Sequence, residues 1–484
     1  WDSENGDLEF AWLDERANGG FRYEPEPAFV GTDSFTYRAS DGTELSNLAT
    51  VTITVEGFNQ APAAANDLFS TPQDTPLTVA APGLLANDSD PNDDSLVAIT
   101  DTNPAQGTLT LGGAGDIWLP ETVDSRGDVG QYSSLAAIVG QPAISYYDAR
   151  TRDLKFARLG LAGWQSDTVD SAGDVGQYSS LAEVAGRPAI SYYDTTNGDL
   201  KFAYRNGTTW QIETVDSSAL LGSYTSLAVV NGQPMIAYTK AYNMNRALVL
   251  ARRNLRGWQI EIIDETIAQI GSSPSLAEVA GQPAIAYMLG SNLDLGYARY
   301  DGSAWQIEVV ERVPAMLYTT VSLAVVGGQP AISYPDEGYL RYARHNGAFW
   351  QVETVDIYVA YPSLAAVDGQ PANSYQDTAN EALKYARYDG STWQIETVDS
   401  AEPWGGAGYY TSLAVVDGQP VISHYDATRK NLKVASNRTT GDGGFTFVPE
   451  PGFCGVARFL YHAYDGSVAS NKAPVVIIVG CSSP

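Results

Sequence analysis

Seven near-copies of one phrase constrain the fold of this chain more than any other feature. Gly130 to Asp148 reads GQYSSLAAIVGQPAISYYD, and Gly176 to Asp194 reads GQYSSLAEVAGRPAISYYD. The proline of the phrase and a tryptophan between the copies each recur seven times, and the tryptophans are spaced 43 to 48 residues apart. The prolines are Pro142, Pro188, Pro234, Pro283, Pro330, Pro371 and Pro420, and the tryptophans are Trp118, Trp164, Trp210, Trp258, Trp305, Trp350 and Trp393. Such a period predicts stacked supersecondary units.

Each unit contains four short runs with strand composition. In the second unit these runs are SLAEV, PAISYY, LKFAY and WQIETV, and clusters of Gly, Asn, Asp and Thr separate them. No run has helical periodicity. Four strands in 40 to 50 residues are typical of a β-propeller blade, whose small sheet must pack on its neighbours. We therefore predict a seven-bladed β-propeller over residues 112–438, with each tryptophan wedged between adjacent blades.

The phase of the repeat predicts how the ring closes. The first unit opens with the tryptophan strand, Trp118 to Val123, whereas the last unit stops at its third strand, Leu432 to Ser436. We expect these two segments to pair, because otherwise one blade lacks its outer strand and leaves an open edge. This closure also places the two ends of the propeller side by side, as insertion into another domain requires.

The segments that flank the propeller share an order of motifs with a known module. Residues 59–111 contain APAAAND, LANDSDPNDD and GTLTL, and residues 443–479 contain GVARFLYHAYDG. Joined end to end, they resemble the bacterial cadherin-like, or tandem-95, immunoglobulin-like module. The resemblance implies a β-sandwich whose front half is residues 58–111 and whose back half is residues 439–484. The propeller would then be an insertion into this sandwich.

Residues 1–57 repeat a later part of the chain. At a constant offset of 424, FRYEPEPAFVGTDSFTYRASDG lies over FTFVPEPGFCGVARFLYHAYDG, so that Trp1 to Gly57 aligns with Tyr425 to Cys481. Residues 1–13 are thus predicted to be the tail of a preceding propeller blade, and residues 14–57 the back half of an earlier module. The predicted fold class is all-β: a seven-bladed β-propeller inserted into an immunoglobulin-like sandwich, with a second partial sandwich at the N-terminus.

The two cysteines both fall in the second half of the interrupted module. The motif order of the resemblance implies a disulfide between Cys454 and Cys481, and two unpaired thiols are the alternative. The earlier copy has Val30 and Gly57 at these positions. We therefore expect that the bridge is not essential to the module fold.

Charge and motif content exclude several classes of function. The 57 acidic and 28 basic residues give a net charge of −29, which would repel a nucleic acid backbone. No run approaches the eighteen apolar residues that a membrane helix needs, so membrane insertion is not expected. The histidines, His345, His424 and His462, are scattered, and the chain has no nucleophile elbow, phosphate-binding glycine loop or zinc motif. We predict that the protein is not an enzyme.

Two groups of acidic residues are candidates for binding. The loop NDSDPNDD contains four carboxylates suited to Ca²⁺: Asp88, Asp90, Asp93 and Asp94. Similar loops of cadherin-like modules bind this ion, although one loop rarely completes its coordination. Two families of propeller loops emerge on one face, which could hold Ca²⁺ or a glycan: Asp124, Asp128, Tyr132, Asp148, Asp170, Asp174, Tyr178 and Asp194. The alternative for these loop residues is a role in turns, where Asp and Gly are common.

These observations predict an extracellular structural or adhesive repeat protein. An unpaired half-sandwich exposes strand edges, which copies of the same chain or a covalent tandem array would cover. The protein would then be a segment or subunit of a surface fibre with head-to-tail contacts. The alternative is a carbohydrate-binding propeller displayed on an immunoglobulin-like stalk.

Overall fold

The computed structural model describes residues 11–13, 21–23, 29, 31–40, 43–55, 59–160, 163–217, 224–242, 245–267, 273–289, 294–312, 320–400, 406–466 and 468–481. The chain divides into two compact units. The sandwich unit contains residues 1–117 and 439–484, and the propeller unit contains residues 118–438. Within the described ranges the regular elements are strands and one short 3₁₀ helix, so the all-β prediction is confirmed.

The first part of the sandwich unit contains two pairs of strands and a front half. The pairs are β1 (Ala11–Leu13) with β2 (Phe21–Tyr23), and β3 (Gly31–Tyr37) with β4 (Ala49–Val55). The front half contains β5 (Asp67–Pro72), β6 (Leu77–Val79), the 3₁₀ helix (Gly83–Asn87), β7 (Val97–Thr102) and β8 (Gly107–Leu111).

The propeller unit is built from four-stranded antiparallel sheets. After β9 (Gly115–Asp124) comes sheet 1, with β10 (Val129–Ile138), β11 (Gln141–Asp148), β12 (Asp153–Gly160) and β13 (Gly163–Asp170). Sheet 2 has β14 (Val175–Val184), β15 (Arg187–Asp194), β16 (Asp199–Asn206) and β17 (Thr209–Asp216). Sheet 3 has β18 (Thr225–Val230), β19 (Gln233–Tyr242), β20 (Asn245–Asn254) and β21 (Gly257–Ile267).

The remaining sheets follow the same order. Sheet 4 has β22 (Ser275–Val279), β23 (Gln282–Leu289), β24 (Asp294–Tyr300) and β25 (Trp305–Glu311). Sheet 5 has β26 (Ser322–Val326), β27 (Gln329–Asp336), β28 (Tyr339–His345) and β29 (Trp350–Ile357). Sheet 6 has β30 (Val359–Val367), β31 (Gln370–Asp377), β32 (Ala382–Tyr388) and β33 (Trp393–Asp399).

Sheet 7 takes its strands from both ends of the propeller unit. It contains β34 (Tyr409–Val416), β35 (Gln419–Asp426) and β36 (Asn431–Gly441), and β36 pairs on its other side with β9. The predicted closure by strand sharing is therefore confirmed. The compact unit begins at Trp118, within β9, rather than at the predicted residue 112.

The same type of hydrogen bond recurs between each sheet and the next around the described part of the propeller unit. A leucine amide on the first strand of each sheet donates to a serine hydroxyl of the preceding sheet, with N···O distances of 2.9–3.0 Å. The pairs are Leu181 to Ser134, Leu227 to Ser180, Leu276 to Ser226, Leu323 to Ser275, Leu364 to Ser322, Leu413 to Ser363 and Leu135 to Ser412. The last pair joins sheet 1 to sheet 7, so the series closes on itself.

The tryptophans pack between adjacent sheets, as predicted. The Trp258 ring lies edge-on to Phe202 of the preceding sheet, with ring centroids 5.1 Å apart, and its Nε1 donates to Glu213. The same bond to a glutamate of the preceding sheet recurs at Trp118, Trp164, Trp305, Trp350 and Trp393. Trp210 Nε1 has no partner among the described residues, because the shorter Asp167 stands at the glutamate position and pairs with Arg205.

The back half of the sandwich comes from the end of the chain. Its strands are β37 (Phe445–Pro449), β38 (Gly455–Tyr464) and β39 (Ala473–Gly480). β37 lies between β6 and β8, β38 pairs with β7 and β39, and β39 runs parallel to β5. Front and back halves share one core that includes Leu84, Phe447, Phe459 and Ile477. The two segments thus form one immunoglobulin-like fold, and the predicted disulfide joins Cys454 to Cys481.

The β3–β4 hairpin repeats the β38–β39 hairpin pair by pair. Gly31 pairs with Val55 and Tyr37 with Ala49, which matches Gly455 with Val479 and Tyr461 with Ala473 at the offset of 424. β1 and β2 depart from the repeat, because they pair with each other whereas their later equivalents in β36 and β37 do not. Of the predicted tail of a preceding propeller blade, residues 1–13, residues 1–10 lie outside the described residues.

Among the described residues, no helix has the length and apolar character that crossing a membrane requires.

One buried residue of sheet 6 breaks the repeat. Asn373 occupies the position of an isoleucine in the other copies, such as Ile332 in sheet 5 and Ile422 in sheet 7. Its side chain is fully buried, and neither amide atom has a hydrogen-bond partner among the described residues. An amide buried in this way loses its hydration without compensation.

We predict that Asn373→Ile stabilises the propeller. The gain should be about 1–3 kcal/mol, because the substitution removes an unsatisfied amide and adds apolar contact. The measurement is the urea midpoint of the propeller transition. The matched control is Ile332→Asn, which creates the same defect in sheet 5 and should lower the midpoint. An unchanged or lower midpoint for Asn373→Ile would show that its amide is satisfied.

Candidate functional site

Five tyrosines, four on the first strands of their sheets and one immediately before such a strand, form what we call the tyrosine belt. Its members are Tyr132, Tyr178, Tyr224, Tyr361 and Tyr410, all with left-handed backbone, φ between 52° and 63°. In sheets 1 and 2 the tyrosine lies at a β-bulge, where the strand register shifts before Ser134 and Ser180. A bulge redirects a side chain out of the regular alternation of a strand. A left-handed backbone conformation is energetically unfavourable for tyrosine. Its recurrence therefore indicates that the surrounding structure enforces this conformation.

Neighbouring rings of the belt are in contact. The ring centroid of Tyr132 lies 4.5 Å from that of Tyr178 and 4.7 Å from that of Tyr410. Tyr178 then contacts Tyr224 at 4.3 Å, and Tyr410 contacts Tyr361 at 5.0 Å. The five rings therefore form one continuous arc that runs from sheet 6 through sheets 7, 1 and 2 to sheet 3.

In sheets 4 and 5 the equivalent position does not carry tyrosine. The equivalent positions there are Ser273 and Thr320, which form a parallel β-bridge with each other. A cavity of about 510 Å³ lies at this place, lined by the five tyrosines, by Ser273 and Thr320, and by residues of sheets 5 and 6 such as Pro335 and Val359. No lysine, arginine, histidine or carboxylate is among its described lining residues. The described lining of the cavity is thus aromatic and rich in hydroxyl groups, and it contains no charged side chain.

Burial raises the pKa of three phenols of the belt, those of Tyr132, Tyr361 and Tyr410. Burial raises the pKa of Tyr410 to about 12, and burial together with the neighbouring tyrosines raises the pKa of Tyr132 further. The backbone carbonyls of the belt are used within the fold. Ser179 donates to the carbonyl of Tyr132, and Thr225 donates to that of Tyr178. The belt can therefore offer a ligand aromatic rings and phenol hydroxyls.

Two of the predicted propeller residues lie at this cavity, and six do not. Tyr132 and Tyr178 line it. The six predicted carboxylates are absent from its lining and accept hydrogen bonds elsewhere. Asp124 accepts from Tyr146 of sheet 1 and Asp170 from Tyr192 of sheet 2, at 2.7 and 2.6 Å. The same contact between a tyrosine and an acidic residue recurs at Tyr238, Tyr287, Tyr334 and Tyr375.

The other four carboxylates also have structural partners. Asp128 accepts from the Tyr425 hydroxyl and Asp174 from the Tyr147 hydroxyl, so each ties one sheet to the next. Asp148 accepts from backbone amides of its own turn, at residues 150 and 151. Asp194 does the same at residue 197 and lies 2.6 Å from the Lys201 ammonium. Burial opposes ionisation of Asp194, but these partners outweigh it and lower its pKa.

Sequence reasoning missed three of the five belt tyrosines and the gap beside them. Tyr224, Tyr361 and Tyr410 occupy the position of Tyr132 when the seven copies are aligned, and Ser273 and Thr320 are the two exceptions. An alignment of the copies column by column would have revealed this pattern. It would not have shown that the column faces a cavity, since a bulge decides that direction.

The histidines have structural surroundings. His424 replaces the tyrosine of the Tyr–acid contact in sheet 7, is fully buried, and has Nε2 3.0 Å from Asp399. Burial lowers its pKa, against the opposing effect of Asp399. His462 Nδ1 lies 2.8 Å from the Ser470 carbonyl oxygen.

The predicted calcium loop of the sandwich unit divides into two parts. Asp88 faces the core, where it accepts from the Ala65 amide at 2.8 Å and from the Tyr461 hydroxyl at 2.9 Å. Asp67 lies close enough to Asp88 and Tyr461 to interact with both. Burial and, behind it, the negative charge of Asp88 raise the pKa of Asp67 to about 6. Burial also raises the pKa of Asp88.

The exposed part of the loop meets a residue from the back half. Carboxylate oxygens of Asp90, Asp94 and Asp465 lie within 4.8 Å of one another. Asp90 Oδ2 and Asn59 Oδ1 are buried atoms without a hydrogen-bond partner among the described residues, and the Asn59 amide donates to Asp465 at 2.9 Å. Asp93 is exposed and has left-handed backbone. The structure thus joins Asp90 and Asp94 to Asp465, which the sequence did not indicate, and separates Asp88 from them.

Two segments of the chain, residues 4–54 and 59–133, match the sequence profile of the family described as Bacterial Ig domain. The second match runs on into the first strands of the propeller, whereas in the structure residues 439–480 complete that sandwich. No sequence among the curated proteins matches this chain.

Several solved structures resemble the chain at low identity. A mutant of AofleA from Arthrobotrys oligospora has TM-score 0.43 and 14% identity over 59% of this chain and 91% of that chain. The fungal Aleuria aurantia lectin, a six-bladed propeller, has TM-score 0.40 and 13% identity over 56% of this chain and 98% of its own. A mutant of the NanB sialidase from Streptococcus pneumoniae has TM-score 0.38 and 11% identity over 72% of this chain and 71% of its own. Likenesses this weak carry no argument about function.

We predict that Asp67→Asn stabilises the sandwich at neutral pH. Because the folded pKa of Asp67 is about 6, above its ordinary 3.8, its contribution to stability is complete below pH 4 and is lost as the pH rises through 6. The neutral amide should therefore gain about 1 kcal/mol at pH 7, after discounting for partial exposure, and flatten the pH profile between 4 and 7. Urea unfolding across this range measures the effect.

The matched control is Glu450→Gln, which neutralises an exposed carboxylate of the same unit. This variant should keep the pH profile of the unaltered chain. A profile for Asp67→Asn that is as steep as that of the unaltered chain would contradict the assignment to Asp67.

Proposed function

We propose that this protein is a non-enzymatic structural or adhesive component of the bacterial exterior. It is a string of immunoglobulin-like modules, each interrupted by a seven-bladed propeller, in which the seven four-stranded sheets are the blades. The observation that carries the proposal is the β3–β4 hairpin, whose register repeats that of β38–β39. The match to a bacterial immunoglobulin-like family and the Cys454–Cys481 disulfide support an extracellular location.

The complete module indicates what the β3–β4 hairpin requires. There, β38 pairs with β7 and β39 pairs with β5, and Tyr461 is fully buried. Among the described strands, β3 pairs only with β4, and Tyr37, the equivalent of Tyr461, is 45% exposed. A second front half, equivalent to residues 59–111, would supply both missing strands. Free strand edges and a half-exposed apolar face favour such an addition.

This completion generates a linear array. The front half at residues 59–111 is already paired with the back half at residues 439–480. The β3–β4 hairpin therefore takes its front half from a different unit. Contacts of this kind run head to tail and do not close, which produces a fibre.

Carbohydrate recognition by the propeller is the second candidate function. The specific observation that favours it is the cavity beside the tyrosine belt, whose described lining contains no charged side chain. Aromatic rings and neutral hydroxyls together suit a ligand with both apolar and hydroxylated surfaces.

The sandwich unit also offers a candidate calcium site. Asp90, Asp94 and Asp465 would hold the ion, and the side-chain oxygen of Asn59 lies beside them. Hard oxygen ligands fit Ca²⁺, which binds six to eight of them, so water would complete the shell. The ion would join the front half to the back half through Asp465.

The array proposal predicts protection of β3 and β4 in an extended chain. The extended chain carries a second copy of residues 59–438 inserted directly before residue 15. This junction is chosen because residue 439 aligns with residue 15 at the offset of 424. Hydrogen–deuterium exchange of residues 31–37 and 49–55 should slow by about tenfold or more relative to the original chain, since both strands gain partners. Equal exchange in the two chains would contradict the array.

Two substitutions in the extended chain provide the matched control. Ile53→Lys places a charge at the equivalent of Ile477, which is fully buried in the complete module, and should restore fast exchange. Thr54→Lys places the same charge at the equivalent of Ile478, which is 45% exposed, and should leave the protection intact.

The calcium proposal predicts that Ca²⁺ raises the melting temperature of the sandwich unit. Asp465→Asn should remove most of this shift, because it removes the only cluster carboxylate from the back half. Asp93→Asn is the matched control within the same loop and should keep the shift. Differential scanning calorimetry with CaCl₂ or EDTA measures it, and equal shifts in both variants would rule out this ligand set.

A further inference from the structure

Two departures from the propeller repeat meet an arginine of the next sheet between sheets 2 and 3. Arg187 stands where the other six copies of the phrase carry glutamine. Tyr204 stands where five of the other copies carry arginine, at the same register position of the third strand. Both residues line a cavity of about 240 Å³ together with Arg253 of sheet 3. We call this cavity the inter-sheet pocket.

The inter-sheet pocket combines apolar walls with two positive charges. Its polar groups are the phenol of Tyr204 and the guanidinium groups of Arg187 and Arg253, and no carboxylate is among its described lining residues. This composition contrasts with the net charge of −29 on the whole chain. The apolar residues of the lining are Val184, Ala185, Pro188, Ala189 and Phe202.

Arg253 is held in one position by contacts with sheet 2. Its guanidinium carbon lies 5.0 Å from the ring centroid of Tyr204 and 5.7 Å from that of Phe202. One of its nitrogens donates to Glu213, whose other carboxylate oxygen accepts from Trp258 Nε1 at 3.0 Å. A guanidinium fixed in this way loses little side-chain freedom on binding an anion, and it keeps further N–H groups that can donate.

Arg187 adds a charge that is not neutralised within the described residues. Its side chain is exposed, and Nη1 donates to the neutral amide oxygen of Asn206 at 3.1 Å. The carboxylate of Glu183, on the same strand as Val184, accepts instead from the Val139 amide of sheet 1. A carboxylate that enters the pocket would therefore meet one arginine that is paired with glutamate and one that has no ionic partner there.

Charge and wall composition together define a class of ligand. Arginine binds a planar carboxylate through parallel N–H donors, and an apolar body gains free energy when the walls shield it from water. A cation would be repelled by the two guanidinium groups. A sugar would lose the hydration of its hydroxyl groups against walls that offer few partners.

The size of the pocket limits the ligand further. Pockets for drug-sized molecules measure about 300–1,000 Å³, so a cavity of about 240 Å³ suits a body no larger than one ring or one branched chain.

We propose that the inter-sheet pocket binds a compact organic carboxylate. Its single aromatic ring or branched aliphatic body lies against the apolar walls, and its carboxylate group is bound by Arg187 and Arg253. This site shares no described lining residue with the cavity beside the tyrosine belt, and it would act independently of array formation and of carbohydrate recognition.

The first experiment tests the ligand class on the full chain. Calorimetric titration and saturation-transfer NMR use benzoate and isovalerate as probes. Benzamide keeps the ring without the charge, and acetate keeps the charge without the body. Benzoate or isovalerate should bind with a dissociation constant on the order of 1 mM or lower. Benzamide and acetate should bind about tenfold more weakly, because each lacks one of the two contacts.

The second experiment tests the site with Arg187→Gln. This variant restores the residue of the other six copies, so the fold should accept it. Binding of the carboxylate should weaken about tenfold, the order of magnitude of one charge-assisted contact. Arg158→Gln is the matched control, since it removes an exposed arginine of sheet 1 with the same change in net charge, and it should bind as the unaltered chain does.

A double variant separates position from net charge. Gln141→Arg/Arg187→Gln moves the arginine to the equivalent place in sheet 1 and keeps the net charge at −29. It should bind the carboxylate as weakly as Arg187→Gln alone. Recovery of the affinity would show that the ligand does not depend on the pocket between sheets 2 and 3.

A third variant tests the other arginine. Arg253→Tyr introduces the residue that sheets 4 and 6 carry opposite the tryptophan, as Tyr300 and Tyr388. It should also weaken binding about tenfold. Circular dichroism checks that each variant is folded, and Arg187→Gln still tests the site if this variant does not fold.

Each remaining outcome contradicts a defined part of the proposal. If neither benzoate nor isovalerate binds, the pocket is not a carboxylate site. If benzamide or acetate binds as tightly as they do, or if glucuronate binds more tightly, the ligand class is wrong. If the carboxylate binds Arg187→Gln and Arg253→Tyr as tightly as the unaltered chain, the ligand class stands and the site is wrong.

Discussion

The hydrogen bond from a leucine amide to the serine of the preceding sheet is the contact on which the propeller depends. The first strand of each sheet is an edge strand, and its outward amide would otherwise be left without a partner in a crowded interior. A serine at a fixed position of the neighbouring sheet satisfies it, at 2.9–3.0 Å in every copy. Sheets must approach closely for this contact. At Gly176, a Cβ would lie only 2.7 Å from Leu154 Cα.

Most of the conspicuous polar residues maintain this packing. Tyrosines bind acidic residues of adjacent sheets, tryptophans bind glutamates, and turn aspartates accept from backbone amides. The repeat weakens around sheets 4 to 6. Pro362 stands where sheets 1 to 3 and 7 have a second hydroxyl, and Ser333 beside it has no partner among the described residues. Asn373 belongs to the same region, as do Ser273 and Thr320. Ser273, Thr320 and Pro362 of this region all line the cavity beside the tyrosine belt.

The sandwich unit shows the same dependence on what covers a strand. The two hairpins have the same register and the same capping hydrogen bonds, since the hydroxyls of Ser46 and Ser470 accept from the amides of Ala39 and Ala463. Only the second hairpin has a front half beside it among the described strands, and only its tyrosine is fully buried. The hairpin is therefore a local product of its residues, whereas the core belongs to the joined halves.

The sequence by itself determined the architecture, because repeats, strand periodicity and motif order are local or periodic signals. These signals predict the sheets, the pairing of β9 with β36, the disulfide and the interrupted sandwich. The tertiary structure alone decided which side chains meet. Asp465 joins Asp90 and Asp94 although Asp94 lies 371 positions earlier in the chain, and Asp88 contacts Tyr461 instead. Likewise, the sequence alone does not distinguish a loop aspartate that binds a ligand from one that accepts a hydrogen bond from a turn amide. Only the bulge that aims Tyr132 and Tyr178 inward, and the ring closure that gathers them, turned one column of the repeat into a cavity.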